Sequence, residues 1–285
     1  MRGAIDIGSN SLRLLKVDDK HNLIEQKVAE TRLGEGFREG SISSAAIART
    51  LKVLDLWNKE LQTENIQDLV VFATSAVRDA RNRKEFAQLV ENHICCPLRI
   101  LSGEEEALYS FNGAVNGFSF NNKECLLIDI GGGSTEIALY EKGNVQGISM
   151  PFGAVRWKVM AYRRNEVRRV MERKISHLEL ANVKHFIGVG GTITTAAAIL
   201  NNISIYKREL IHGKTISKKA LDKLQSHLGN MTLAERKEVV GLPEPRADII
   251  IYGLEILEIL FDLLNIEEIT VSDWGILDGI LDEQA

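Results

Sequence analysis

Apolar residues recur along this chain in two spacings, one typical of short buried strands and one typical of helices. In the first half the spacing predicts strands at 12–17, 69–73 and 98–101 and helices at 43–61, 81–90 and 103–115. In the second half it predicts strands at 136–140, 186–189 and 269–272 and helices at 165–180, from 192 and from 246. Strands that alternate with helices after an opening hairpin favour an α/β protein with mixed sheets.

The chain repeats one short pattern. Residues 6–11 and 129–134 both read Asp-Ile-Gly-x-x-Ser, and each lies between an apolar run and an alternating run. Each copy therefore predicts a hairpin of strand, tight turn and strand. Because the copies begin 123 residues apart in a chain of 285, we expect two similar halves whose hairpins face one another. The turn-rich segment 116–122 is the best candidate linker, so the predicted domains are 1–120 and 121–285.

Composition narrows the class of protein. Hydrophobic residues make up 45% and charged residues 26%, which is ordinary for a globular chain and excludes a disordered or coiled-coil one. The net charge of −4 disfavours nucleic acid and membrane surfaces as partners, although a local basic patch can still hold a polyanion. Segment 249–264 is the most apolar, but carboxylates on one helical face interrupt it, which favours a buried helix over a membrane span.

The cysteines and the first residues indicate a compartment. Cys95 and Cys96 are adjacent and Cys125 stands alone, so their spacing fits neither a disulfide framework nor a zinc site. Asp6 precedes any long apolar stretch, which argues against a signal peptide. We therefore expect a protein of the reducing cytoplasm.

Two glycine-rich runs are candidate phosphate sites. The run 131–134 lies between Asp129 and Glu136, and a turn without bulky side chains can direct several backbone N–H groups at one phosphate. Carboxylates beside such a turn commonly bind Mg²⁺. A plain hairpin with Asp129 as turn acceptor is the alternative, and the matching hairpin at Asp6 favours the functional interpretation. The run 188–192 lies where a strand meets a helix, which suits an anion, or only close packing of helix on sheet.

Charged residues outside the glycine runs allow structural and chemical interpretations. At the start of helix 103–115, Ser102 and Glu105 fit a capping box, whereas Glu106 has no local structural role and is a candidate general base. Arg78 follows a buried strand on a predicted loop, where it could contact phosphate or pair with a surface carboxylate. The basic run 163–174 is a solvated helix face or, alternatively, a route for a polyanion.

Seven motifs together carry a family resemblance. They are residues 6–11, 33–36, 73–80, 102–107, 129–136, 188–192 and 246–248. In this order the chain resembles the exopolyphosphatase/guanosine pentaphosphate phosphohydrolase family from residue 3 to about residue 281. The resemblance implies an α/β fold of two RNase-H-like, actin-like ATPase domains with the active site in the cleft between them.

The resemblance also assigns roles to residues of this chain. It implies that Glu106 is the catalytic base and that Arg78 steadies the terminal phosphoryl group. It implies that Asp129 and Glu136 are metal-associated carboxylates and that the cofactor is a divalent cation such as Mg²⁺. We add Asp6 of the first hairpin to these candidate metal ligands. With the glycine run 188–192 included, the candidate phosphate-binding residues are Ser9, Asn10, Ser11, Gly131, Gly132, Gly133, Ser134, Gly190, Gly191 and Thr192. Arg13 and Arg246 match arginines near the bound ligand.

The leading hypothesis is hydrolysis of the terminal phosphate of inorganic polyphosphate, of guanosine pentaphosphate, or of both, by Mg²⁺-assisted attack of water. An actin-like kinase or ATPase that acts on ATP is the main alternative, and a sensor that binds without turnover is a third. The chain resembles the short, two-domain members, which puts processive degradation of long chains in doubt. We also expect a homodimer, since apolar positions of the C-terminal half are compatible with one.

Overall fold

The first half forms one mixed sheet flanked by helices. The computed structural model describes residues 1–37, 40–64, 66 and 68–283. Its first elements are β1 (Arg2–Ile7), β2 (Ser11–Val17), β3 (Leu23–Glu30), α1 (Ser44–Thr63), β4 (Asp68–Ala73), α2 (Ser75–Arg78), α3 (Arg83–Ile94), β5 (Leu98–Ile100) and α4 (Gly103–Asn116). The strand order is β3-β2-β1-β4-β5, with β2 antiparallel to both neighbours and β1, β4 and β5 parallel.

The second half forms a larger sheet. Its elements are β6 (Cys125–Ile130), β7 (Thr135–Glu141), β8 (Asn144–Met150), α5 (Ala154–Met160), α6 (Arg164–Ile175), β9 (His185–Val189), α7 (Gly191–Leu200), α8 (Arg208–Ile211), β10 (Thr215–Ser217), α9 (Lys218–Asn230), α10 (Leu233–Lys237), α11 (Ile250–Leu264), β11 (Glu268–Val271) and α12 (Ile276–Glu283). The strand order is β10-β11-β9-β6-β7-β8.

Both sheets have the same topology. From β8 inwards, the second sheet runs third, second, first, fourth and sixth strand of its half. Its first four strands follow the order of the first sheet, β11 takes the position of β5, and β10, the fifth strand in sequence, is added at the edge. The second strand of each half is antiparallel to the first, while the fourth is parallel to it. The predicted duplication is confirmed, and the fold is α/β with two RNase-H-like domains of the actin-like type.

The last helix of each half packs on the sheet of the other half. Phe111 of α4 packs in one apolar cluster with Ala138 of the second sheet, and Ile280 of α12 packs with Phe72 of the first sheet. The two helices also touch each other directly, because a Cβ on Gly113 would lie 1.9 Å from the oxygen of Gly275, just before α12, and 2.7 Å from Gly279 N of α12. The first-half chain thus continues onto the second sheet before the linker, and the boundary at residue 120 stays a prediction.

Some predicted elements differ from the observed ones. Helix 165–180 ends at Ile175, because the chain turns there and Leu178 N donates to the Ile175 oxygen. The helix predicted from Arg246 begins at Ile250, because Pro243 precedes a separate 3-10 turn over Glu244–Arg246. Arg78 lies at the end of the one-turn helix α2 and not on a loop. No helix in the described ranges combines the length and apolar character that a membrane span requires.

Candidate active site

The two hairpin turns share the same internal hydrogen bond. Gly8 N donates to the Ser11 oxygen at 3.0 Å, and Gly131 N donates to the Ser134 oxygen, also at 3.0 Å. Each turn follows the first strand of its half and leads into an antiparallel second strand. The repeat in the sequence is therefore a repeat of backbone structure.

These turns contact each other across the two halves, as predicted. A Cβ on Gly132 would lie 3.1 Å from the Ser9 Cβ, and one on Gly133 would lie 2.4 Å from the Ser9 Oγ. Ser9 Oγ is also hydrogen-bonded to Ser75 Oγ at 3.0 Å. A Cβ at Gly133 would displace the Ser9 and Ser75 hydroxyls, and one at Gly132 would press on Ser9 and the Asn10 backbone, so glycine at both positions favours the close approach. Ser75 was not among the predicted site residues.

An ion pair joins the candidate base to the candidate arginine. Arg78 Nη1 donates to Glu106 Oε2 at 2.8 Å and to the Leu101 oxygen at 2.9 Å. The predicted capping box of Ser102 and Glu105 is confirmed, and it leaves Glu106 buried on the inner face of α4. The partner of Arg78 is thus the buried carboxylate, since the nearest Asp79 oxygen lies 3.9 Å away.

The surroundings of Glu106 raise the pKa of its carboxyl above that of a glutamate in water. Burial raises the pKa of Glu106 to about 7, Arg78 opposes that rise, and the negative charges of Asp129 and Asp6 add to it. A carboxyl with a pKa near neutrality can accept a proton from water and release it again at physiological pH. The arrangement suits a general base.

Two further carboxylates lie side by side on the second sheet. Asp129 and Glu136 are paired in the register of β6 and β7. Ser110 Oγ donates to Asp129 Oδ2 and Ser149 Oγ donates to Glu136 Oε1, both at 2.7 Å. Burial raises the pKa of both carboxyls, and that of Glu136 is raised further by the charges of Glu106 and Asp129. The site therefore concentrates negative charge that a cation would relieve.

The donor set fits a divalent cation that arrives with phosphate oxygens. Arg13 Nε donates to Asp6 Oδ2 at 2.8 Å, whereas Asp6 Oδ1 is buried and has no hydrogen-bond partner. Within the described residues, no three His, Cys, Asp or Glu side chains converge as a ready metal cage. Mg²⁺ typically takes one or two carboxylates and completes its shell with substrate oxygens and water. Asp6, Asp129 and Glu136 could provide those carboxylates.

The glycine run 188–192 lies beside the carboxylate of Asp129. Gly190 has a φ of 89°, and a Cβ there would lie 2.6 Å from Asp129 Oδ1. A Cβ on Gly191 would overlap the Arg246 guanidinium, so that side chain packs directly against Gly191. Thr192 packs against Gly253 of α11, which is the close-packing role left open by the sequence. Binding of phosphate by this run stays a prediction.

Polar side chains also join the halves at the rim of this site. Arg246 Nη2 donates to Ser11 Oγ at 3.0 Å and Arg246 Nε donates to Glu30 Oε1 at 3.1 Å. Two positions further along each segment, Arg32 Nη2 donates to Asp248 Oδ2 at 2.6 Å. Two ion pairs therefore join the segments 30–32 and 246–248. Glu30 was not singled out in the sequence.

A sequence profile of the Ppx/GppA phosphatase family matches residues 14–285. The chain belongs to this family. A "Bifunctional 3-dehydroquinate synthase/phosphatase" of Fusobacterium nucleatum is 32% identical over 98% of the chain, which spans 46% of that relative's length. An "Exopolyphosphatase 2" of Mycobacterium tuberculosis is 30% identical, and the match covers 97% of this chain and 96% of that protein.

Solved structures of family members have the same fold. An exopolyphosphatase-like protein superimposes with a TM-score of 0.91 at 25% identity, over 99% of this chain and 97% of that one. The Aquifex aeolicus family member superimposes with a TM-score of 0.81 at 27% identity, over 99% of this chain and 96% of that one. The likeness extends over both halves and therefore includes the region where the two turns meet.

The basic helix of this Ppx/GppA family member packs on its own half. Arg164 of α6 pairs with Glu258 of α11 at 2.7 Å, and Arg168 approaches Asp262 at 3.4 Å. Val167, Met171 and Ile175 of α6 face the core. Two of the arginines thus already have carboxylate partners, which favours the solvated-face interpretation over a polyanion route.

Proposed function

We propose that this protein hydrolyses the terminal phosphoanhydride of inorganic polyphosphate, of guanosine pentaphosphate, or of both, with Glu106 as the general base. The observation that carries the proposal is the ion pair of the half-buried Arg78 with the buried Glu106. Arg78 lies on the same short helix as Ser75, which contacts the turns of both halves. The family membership supports phosphate chemistry, and the name of the Mycobacterium relative supports polyphosphate as a substrate.

In the proposed step, the Glu106 carboxylate accepts a proton from water as the water oxygen bonds to the terminal phosphorus. The bond from that phosphorus to the bridging oxygen breaks, and the bridging oxygen keeps the electron pair as part of the shortened chain. Arg78 offsets negative charge on the terminal phosphoryl oxygens. Backbone N–H groups of the turn around Gly132 and Gly133 provide further donors to these oxygens.

A divalent cation such as Mg²⁺, held by one or two of the carboxylates of Asp129, Glu136 and Asp6, would supply charge neutralisation for the phosphate oxygens. Ser110 and Ser149 orient the first two of these carboxylates through their 2.7 Å hydrogen bonds. Their donated protons also stabilise the ionised form that a cation needs. In this proposal the two serines support the metal ligands.

Phosphate release from four substrates tests the proposal. Short polyphosphate, long polyphosphate, guanosine pentaphosphate and ATP are incubated with the protein and Mg²⁺, and released inorganic phosphate is measured. We expect release from at least one of the first three, and little from ATP. Rapid turnover of ATP only, above all with transfer to an acceptor, would instead support the kinase or ATPase alternative, and binding without release would support a sensor.

We also propose that the protein acts as a homodimer in the cytoplasm. The three free cysteines support the cytoplasmic location, because a reducing compartment keeps thiols unpaired. Light scattering on the purified protein measures the mass of the particle, and a value near the 31.8 kDa of one chain would contradict the dimer.

A further inference from the structure

Three candidate ligand-binding side chains converge on one carboxylate. Glu30 ends β3 directly opposite Ser11 of β2. Its Oε2 accepts a 2.8 Å hydrogen bond from Ser11 Oγ and a second bond from Asn10 Nδ2. Its Oε1 accepts from Arg246 Nε at 3.1 Å, so donors from both halves surround it. A carboxylate here uses the same hydrogen-bond donors that an incoming phosphate would use.

The side chains of the first turn therefore contact two different regions of the site. Ser9 is directed at Ser75 and at the glycine turn of the second half, next to the proposed terminal-phosphate position. Ser11 is directed at Glu30 and Arg246, on the side of Gly191. A substrate with more than one phosphate could reach from the first place to the second, whereas inorganic phosphate could occupy only one of them.

We propose that Glu30 is a specificity-determining residue, whose carboxylate occupies an anion subsite built by Asn10, Ser11 and Arg246. An inner phosphate of the substrate gains this subsite only by displacing the carboxylate. The inference rests on the proposed function, because the displacing group is a phosphate of the proposed substrate. Glu30 thereby weakens the binding of every ligand that needs the subsite.

The contacts of Glu30 are of a kind that a phosphate can replace. The side chains of Glu30 and Arg246 are 18% and 17% exposed, so their ion pair is partly open to solvent and can be reached by an incoming anion. A phosphate group offers more acceptor oxygens than a carboxylate and binds an arginine through two parallel hydrogen bonds. Removing the charge of Glu30 would leave Arg246 available to the substrate without competition.

Binding measurements on a variant without turnover test this role. Glu106→Gln and Glu106→Gln/Glu30→Gln are titrated calorimetrically with tripolyphosphate and with pyrophosphate in the presence of Mg²⁺ at low ionic strength. We expect the Kd for tripolyphosphate to fall about five- to tenfold in the double variant, because Gln keeps the side-chain volume and loses the competing charge. The gain should shrink at high salt and should be smaller for pyrophosphate.

Glu25→Gln in the Glu106→Gln background is the matched control. Glu25 lies on the same strand, pairs with Lys16 and makes no contact with the turn, so the same loss of charge should leave the Kd within about twofold. An unchanged or higher Kd in the Glu30 variant would overturn the inference, since Glu30 would then support the donors and not compete for them. An equal gain in the Glu25 control would overturn it too, because the effect would then be one of net charge.

The outcome is kept separate from that of the proposed function by measuring phosphate release from wild-type protein in parallel. Release by the wild type together with an unchanged Kd in the Glu30 variant rejects only the inference. No release from any polyphosphate or from guanosine pentaphosphate, with no binding by any variant, rejects both.

Discussion

Replacing Glu106 by Gln separates two effects of burying this carboxyl, one on turnover and one on stability. Gln has nearly the same volume, and its oxygen can still accept the hydrogen bond from Arg78 Nη1. It cannot take a proton from water. We expect kcat to fall by about 10²–10⁴-fold if proton transfer is the main role of Glu106. A variant that keeps half of the native rate would remove Glu106 from the mechanism.

The same substitution should stabilise the metal-free protein at alkaline pH. The pKa of Glu106 is about 7 in the folded protein, against 4.5 for a glutamate side chain that is fully exposed to water. The folded state therefore holds a proton that the unfolded state has released, and the stability conferred by this proton is complete below pH 4.5 and is lost as the pH rises through 7. At 1.36 kcal/mol per pKa unit, ionising Glu106 costs the native state about 3 kcal/mol at pH 8.

Urea unfolding in EDTA at pH 5 and pH 8 measures this cost. Glu106→Gln should unfold at a higher urea concentration than the wild type at pH 8, and the difference should shrink to about a quarter at pH 5, where the unfolded carboxyl is still mostly ionised. Glu104→Gln is the control, since Glu104 lies two residues earlier on α4 but is exposed. Equal destabilisation of Glu106→Gln at both pH values would refute the argument that burial dominates the energetics of this carboxyl.

Three further predictions follow from the site. Asp129→Asn should raise the Mg²⁺ concentration needed for half-maximal activity, and full wild-type activity in excess EDTA would contradict metal assistance. Gly133→Ala should lower kcat by about 10²-fold, since a Cβ there would lie 2.4 Å from a serine oxygen of the facing turn. Gly229→Ala, whose Cβ would meet nothing within 4 Å, should leave kcat unchanged. Arg168→Ala/Arg169→Ala should not alter how KM for long polyphosphate varies with KCl, because Arg168 already pairs with α11. A flatter salt dependence in this double variant would instead place α6 on the substrate route.

Local signals explain why much of the fold was predictable. The repeated Asp-Ile-Gly-x-x-Ser pattern lies wholly within each hairpin, so it indicated both turns and the duplication before any contact was known. The edge strand β3 was missed because its residues alternate poorly and all eight remain partly or fully exposed. Its pairing with β2 is set by a neighbouring strand, and no pattern inside β3 shows it.

The sequence did not indicate the supporting residues of the site for a related reason. The helices α4 and α12 each pack on the sheet of the other half, so the contacts join residues that are distant in sequence. Glu106 and Ser110 lie one turn apart on α4, so both face the same side, and α4 lies on the second sheet. Ser110 belongs to the first half in sequence, yet it donates to Asp129 of the second half. The candidate base is therefore anchored to the sheet that carries the candidate metal ligands, while Arg78 is anchored to the other sheet. The Arg78–Glu106 pair is consequently a contact between two independently supported groups, and it depends on how closely the two turns approach each other.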